Sequence, residues 1–577
     1  MPWRRPSRTY AIPSCAARSR NLPPSGRWPR SAGWTRGSWC ASCAARLRRL
    51  DEKAEIFIFE RSGAVSFANC GLPYYIGGAI ADRGKLLISS AEQFRDTFNV
   101  EVRTRHEVVR IDRENKSVEV ENLQTGERFQ ERYDVLVLAP GAAPLKLPLP
   151  GIDLPGVFSL RNLDDVDQIH DWIKRRHVDR AVVVGAGYIG LEMVENLSRR
   201  GATVTLLEMA DQVMPPVDRE MTEPIRRELE RQGVDLRLGN ALAAIEPGAH
   251  NTLAVAARHD ERFAADLVVL SVGVKPETDL VRAAGLEIGT TGGIRADDRM
   301  RTSDPSIFAV GDAVEVRDFV TGQPALIPLA GPASRQGRIA ADVICGRDST
   351  YRGTQGTAVV GVFELTFAMT GATEKTLLKA GIPCEKSYTH AFHHGSYYPG
   401  AERIAMKLLF APETGKLLGA QAVGKAGVEK RIDVIALAIQ QGATVFDLEE
   451  AELCYAPQYG SAKDPVNMAG FAAANILRGD VLVAHWSEWN RRNAAGEPPA
   501  TLDVRPATDA AADSVPGTIR IPLGELRSRL AELPRDREIW VHCEAGQAAY
   551  FANRMLAQNG FQVRNLSGGF RSYNMEK

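Results

Sequence analysis

Apolar positions along the chain fall into short strand-like runs that alternate with helical stretches, and two of these alternations predict nucleotide-binding units. In AARLRRLDEKAEIFIFE the pattern predicts a helix over 44–50, a turn, and a strand over 56–59 that runs into Glu60. This is the second half of a βαβ dinucleotide unit, in which an acid at the end of the second strand takes ribose hydroxyls. The first strand and glycine loop of that unit are expected to be missing. A complete unit follows in RAVVVGAGYIGLEMVENLSRRGATVTLLE, with a strand over 181–184, then Gly185, Gly187 and Gly190 in G-x-G-x-x-G order, a helix, a second strand and Glu208. The glycines permit a tight turn, close approach of backbone to a pyrophosphate, and close helix packing. Glu208 would repel a 2′-phosphate and no Arg follows it in MADQ, so NADH is favoured over NADPH.

Further runs bracket this unit. YDVLVLAPGAAP (133–144) predicts a buried strand entering a Pro/Gly turn, and RTSDPSIFAVGDA (301–313) a strand ending in Gly311 and Asp312. An Asp there suits a ribityl or ribose hydroxyl in the crevice where α/β sheets take ligands. SFANCGLPYY places Cys70 before a predicted helix whose N-terminus would lower the thiol pKa. Near Arg478 the composition changes, and 494–499 predicts a turn before a small α/β pattern. There a strand over 539–542 delivers Cys543 into the loop CEAGQA ahead of a helix. Successive backbone N–H groups in such a loop would stabilise a thiolate or persulfide.

Charge narrows the function class. Lys plus Arg and Asp plus Glu both number 71, so no global excess points to nucleic acid or an anionic membrane. No uncharged run approaches membrane-spanning length, and eight scattered cysteines in 577 residues favour a reducing, cytoplasmic setting over a disulfide scaffold. The first 43 residues stand apart, crowded with Arg, Pro, Ser and Trp, without an acid before Asp51 and without periodicity. Either this segment is targeting-like, or it is a frameshifted or misassigned start; every residue of RGSWC (36–40) has a codon with G in the middle, as a glycine-rich loop read one base early would give.

Together these motifs resemble the pyridine nucleotide–disulfide oxidoreductases over about 44–478. The resemblance implies an α/β fold of two Rossmann-like domains, for FAD (44–152 and 270–345) and NAD (153–269). An α+β dimerisation domain (346–478) and a rhodanese-like α/β domain (486–577) would follow. It further implies that Glu60 and Asp312 hold FAD, and that Cys70 is the redox thiol. Position 75, where a two-cysteine member carries its resolving thiol, is Tyr75. SFANCGLPYYIGG is similar to the single-cysteine branch, which includes coenzyme A disulfide and persulfide reductases as well as NADH oxidases and peroxidases. HAFHHGSYYPGAE (390–402) and CYAPQYGSAKDPVNMAG (454–470) resemble the tyrosine segments of the coenzyme A branch, which serve a partner's cysteine across a homodimer. Tyr397 and Tyr455 are the expected pair, with Tyr398 and Tyr459 as competitors and interface packing as the alternative role.

Coenzyme A as substrate or mixed-disulfide ligand needs cations. The resemblance favours Arg49 with Ser66, although a solvated helix face explains Arg46 to Arg49 equally well. His393 and His394 are expected to be loop residues, with no metal site. The rhodanese resemblance makes Cys543 a sulfane-sulfur carrier, but its loop has Ala548 where such loops commonly close with Arg, which weakens anion stabilisation. The expected function is NADH-dependent reduction of coenzyme A disulfide or persulfide. Rivals are an NADH oxidase or peroxidase acting through a sulfenic acid, and a flavin-free persulfide carrier.

Overall fold

The strand Glu55–Glu60 is buried at its four middle positions, as a strand covered on both faces must be. In the computed structural model, which describes residues 9–12 and 39–577, it lies between two parallel neighbours, Thr9–Ile12 and Glu101–Thr104. The first strand of the unit is therefore present, contrary to the expectation that it is missing. Of its four residues, TYAI, three are strand-forming types, but four are too few to register as a period inside an Arg- and Pro-rich stretch. The expected hidden glycine loop lies outside the described residues. The helix begins earlier than 44, spanning Trp39–Leu50, because Ala41, Ala44 and Leu47 recur at helical spacing and are buried, with the helix packed on Ala330–Ile344.

The chain divides into two units, Met1–Asp211 with Gly233–Thr354, and Gln212–Gln232 with Gln355–Lys577. In the first, the buried strands Leu136–Leu138 and Ile307–Ala309 pair in parallel and end beside each other. A five-stranded parallel sheet carries the glycine-rich turn, in the order Val157–Ser159, Leu267–Leu270, Arg180–Val184, Thr203–Leu207, Asp235–Arg237.

The second unit holds two sheets. One is antiparallel, ordered Ala358–Val362, Leu365–Gly371, Leu417–Gly424, Arg403–Phe410, Glu385–Phe392. The other is parallel, ordered Val483–Ala484, Val563–Leu566, Ile539–His542, Ala500–Asp503, Ile519–Arg520, with Gln547–Gln558 as its long helix. The C-terminal layer is bonded to the antiparallel sheet: the Tyr388 N–H donates to Ser567 Oγ at 3.1 Å, and His390 Nε2 lies 2.9 Å from Ser572 Oγ. Among the described residues no helix is long and apolar enough to cross a membrane, and no cysteine is in a disulfide.

The helix Arg219–Arg231 falls in sequence between two strands of the nucleotide sheet yet belongs to the second unit. A buried charge cluster fixes it there. The Lys407 ammonium, fully buried, meets Asp218 at 2.8 Å, Glu220 at 2.5 Å and Glu374 at 2.7 Å. This acidic trio is the described group with metal-like spacing, and the ammonium fills it. Burial alone would push the Glu374 carboxyl up, but Lys407 and Lys386 overrule it and hold its pKa down at about 2. The stability it contributes is present above its unfolded pKa and is lost as pH falls toward 2. Lys407→Met leaves buried carboxylates without their cation. It is expected to destabilise the second unit by about 3–5 kcal/mol, read as a lower unfolding midpoint at pH 7, with part of the loss recovered as pH falls and the carboxyls protonate.

Candidate redox and sulfur-transfer sites

Three glycines shape the dinucleotide turn for three different reasons. Gly185 has φ +100°, and a side chain there would stand 2.5 Å from the Ser271 carbonyl oxygen. Gly187 faces open space, which leaves its backbone accessible to a phosphate. A Cβ on Gly190 would sit 1.9 Å from the Gly185 carbonyl oxygen, so only glycine lets the helix Tyr188–Arg199 pack this closely. The Glu208 carboxylate accepts from the Ala186 N–H and the Ala210 N–H, both at 2.8 Å, which locks the acid at the end of the second strand against the turn.

Cys70 is exposed in a single 3-10 turn, Asn69–Gly71, followed by the helix Leu72–Ile76. The expected helix is present but only five residues long, and Pro73 occupies its start. A residue that sequence reasoning missed connects this turn to the nucleotide unit. The Tyr74 hydroxyl donates to Glu192 Oε1 at 3.1 Å, and Glu192 lies on the helix that the glycine turn opens. Burial raises the Glu192 carboxyl to about 7 against the hydrogen bond from Tyr74, which lowers it. The signal in sequence was the acid two residues after Gly190, in GYIGLE, which reads as an ordinary helix residue.

The residues expected to hold FAD lie at strand ends. Glu60 lines a cavity of about 790 Å³ with Leu138, Pro140 and Glu277, and one of its oxygens is held by the Ser62 N–H at 2.8 Å. Gly311 has φ +88° and donates its N–H to Gln336. Burial raises the Asp312 carboxyl, Arg161 opposes the rise, and no hydrogen bond reaches it from the described residues. A desolvated carboxylate at this place fits a ligand that brings hydroxyl donors, as a ribityl chain does.

The arginines of RLRR separate by role. Arg48 is buried and bonds the backbone carbonyls of Phe98, Asp51, Glu52 and Asn99, a structural task. Arg46 pairs with Asp342 at 2.7 Å. Arg49 is exposed, and burial of its stem together with the charges of Arg46 and Arg338 lowers its pKa, which marks a locally positive surface. Ser66 is buried, in a short strand that pairs with Leu87–Ser89.

In the second unit the hydroxyls of Tyr397 and Tyr455 lie 2.8 Å apart, and both side chains are exposed. The contact raises the Tyr397 phenol, so it stays a proton donor. Tyr398 and Tyr459 are also exposed, while His393 and His394 stack on each other in the adjoining loop. Cys543 is buried at the end of Ile539–His542. Burial pushes its thiol up, and the backbone N–H groups of Ala549, Ala545, Gly546 and Ala548 pull it down, with Gly546 N 3.2 Å from the sulfur. The positive φ of Gly546, +97°, turns the loop into this cradle.

The pyridine nucleotide-disulphide oxidoreductase description matches residues 37–337, its dimerisation domain 357–464, and a rhodanese-like domain 487–576. A Staphylococcus aureus coenzyme A disulfide reductase is 37% identical over 434 residues, covering 75% of this chain and 97% of the relative. The chain belongs to the pyridine nucleotide–disulphide oxidoreductases. Reduced Bacillus anthracis CoADR-RHD superposes with a TM-score of 0.93 at 44% identity, covering 99% of this chain and 98% of that one. An NAD-dependent persulfide reductase from A. fulgidus gives 0.86 at 35% identity, with 92% and 98% covered. The dimerisation domain indicates that this oxidoreductase is a homodimer.

The Glu192 carboxyl generates a pH prediction. Its pKa is raised on folding, so its contribution is present below its unfolded pKa and lost as pH rises through about 7. Glu192→Gln should raise the thermal midpoint of the first unit relative to wild type as pH rises from about 4.5 to 7. A difference that stays constant across this window would contradict a buried, titrating carboxyl.

Proposed function

We propose that the chain is an FAD-dependent reductase that uses NADH to reduce coenzyme A disulfide or coenzyme A persulfide, with Cys70 as the redox thiol and Cys543 as a sulfane-sulfur carrier. The observation that carries this reading is the Tyr74–Glu192 hydrogen bond, which ties the short helix after the Cys70 turn to the helix opened by the glycine turn and so supports a redox role for that thiol beside the nucleotide. Its similarity to coenzyme A disulfide and persulfide reductases over nearly their full lengths supports the substrate class.

FAD, when bound, supplies the relay of two electrons from nicotinamide to sulfur. Glu60 and Asp312 would hold its hydroxyls, Gly311 would let the backbone come close, and Gly185, Gly187, Gly190 and Glu208 would hold NADH. Cys70 forms a mixed disulfide with coenzyme A as the first coenzyme A thiolate leaves. The two electrons then release the second, so that one NADH and one proton give two thiols per disulfide. Arg49 and Ser66 serve the phosphates of coenzyme A. The Tyr397–Tyr455 pair donates a hydrogen bond to the leaving sulfur at the cysteine of a second copy of the chain, so each site of the homodimer is completed across the interface. A cytoplasmic setting keeps these thiols reduced.

Cys70→Ser should abolish NADH-dependent turnover of coenzyme A disulfide, a fall of at least about a thousandfold, while NADH still bleaches the flavin colour. Retained turnover would refute the assignment. Cys543→Ser should spare disulfide reduction and stop transfer from a sulfur donor, and equal loss of both would argue against two separate thiol roles.

A further inference from the structure

The loop that follows Cys543 lacks the arginine that would close it, since Ala548 stands there, yet the structure brings cations to it from another part of the second unit. A cavity of about 560 Å³ opens between the loop and the antiparallel sheet, lined by Phe392, Arg403, Lys463, Gly546, Gln547 and Tyr550. Arg403 starts the strand Arg403–Phe410, about 140 residues before Cys543 in sequence. Its guanidinium is half-buried, stacks on the Phe392 ring at 3.9 Å and donates to the His390 carbonyl at 2.6 Å. No carboxylate of the described residues pairs with it. Lys463 is likewise without an ion pair and lies over the Phe471 ring.

The other charges around the thiol are already satisfied. Arg571 pairs with Glu544 at 3.0 Å, and Arg505 pairs with Asp503 at 2.7 Å and stacks on Phe570. His390 and His542 are held neutral by burial, at about 3 and about 4. A partly desolvated guanidinium with free donor capacity, lining a cavity of mixed polar and apolar character together with the loop whose N–H groups converge on the Cys543 sulfur, is a device for an anion.

We infer that this cavity is an anion-recognition site for the acidic end of the sulfur substrate, with Arg403 as its main cation and Lys463 at its mouth. The inference rests on the sulfur-carrier reading of Cys543 and adds to it the residues, outside the rhodanese-like domain, that receive the negative charge of an anionic donor such as a persulfide or thiosulfate. The thiolate attacks the outer sulfur of the donor. The donor S–S bond breaks as the Cys543 S–S bond forms, and the electron pair leaves on the donor's remaining fragment, a thiolate or sulfite. No external oxidant or reductant is consumed. The charge that accumulates at the loop is what Arg403 offsets, in place of a cation at position 548.

The test uses two alkylating probes of similar size, one charged and one neutral, on the full-length holoenzyme. Iodoacetate is an anion and iodoacetamide is neutral, and the rate of labelling at Cys543 is followed by peptide mass spectrometry. In wild type the iodoacetate rate should exceed what thiolate reactivity alone gives. Arg403→Gln should lower the iodoacetate-to-iodoacetamide ratio about tenfold, Arg403→Lys should recover most of it, and Lys463→Gln, at an exposed position that does not threaten folding, should lower it less. A purely structural role for Arg403 would change both rates together and leave the ratio alone. A ratio within twofold of wild type in both Gln variants, or no labelling of Cys543 by either probe, would overturn the inference. Loading of Cys543 with sulfur from glutathione persulfide is measured in parallel. Its absence, with the ratio effect intact, would instead count against the carrier reading and leave the anion site standing.

Discussion

One buried ammonium organises the second unit. Lys407 is enclosed by carboxylates from two separate stretches of chain, Asp218 and Glu220 from one and Glu374 from the other. Such a cluster is stable only while all its members are present, because any one removed leaves desolvated charge behind. It draws the helix Arg219–Arg231 out of the run of the nucleotide sheet, and through the Tyr388 hydroxyl, which donates to Glu220, it reaches the strand that meets the C-terminal domain. That strand's register sets His390 and Phe392 opposite Ala405 and Arg403, and so fixes what the Cys543 loop faces.

Much of this was legible in the sequence wherever local chemistry was sufficient. The glycine turn with Glu208, the strand delivering Cys543, and the strand ending at Asp312 each follow from residues a few positions apart. The tyrosine segments were legible as a resemblance, and the hydroxyl contact between Tyr397 and Tyr455 joins the two that were favoured over their neighbours. The readings that failed or fell short involve long separations or short signals. Thr9–Ile12 is a strand because it pairs with Glu55–Glu60, more than forty positions on, and four residues carry no period. The Lys407 cluster joins residues nearly 190 positions apart, and Arg403 lines the cavity beside the Cys543 loop from the antiparallel sheet. Neither lone residue differs in sequence from a solvated surface charge.

The presence of the first strand bears on the rival functions. A flavin-free carrier was attractive because half of a dinucleotide unit was expected to be absent. The strand Thr9–Ile12 removes part of that premise, and the desolvated Asp312 carboxyl just past the strand Ile307–Ala309 fits a hydroxyl-bearing ligand. With FAD held in the first unit, the proposed chemistry is set by the Cys70 thiol. On the proposed reading, position 75 offers Cys70 no resolving cysteine, so the second sulfur comes from the substrate, and the rhodanese-like domain that carries Cys543 is a place from which sulfane sulfur can be handed on.

The most direct measurement is the visible spectrum of the purified chain through one reductive and one oxidative half-reaction, in the absence of oxygen. The account predicts a flavin band that bleaches with NADH and returns on addition of coenzyme A disulfide, with two thiols formed per NADH oxidised. A colourless protein, or a reduced flavin that only oxygen reoxidises, would contradict it.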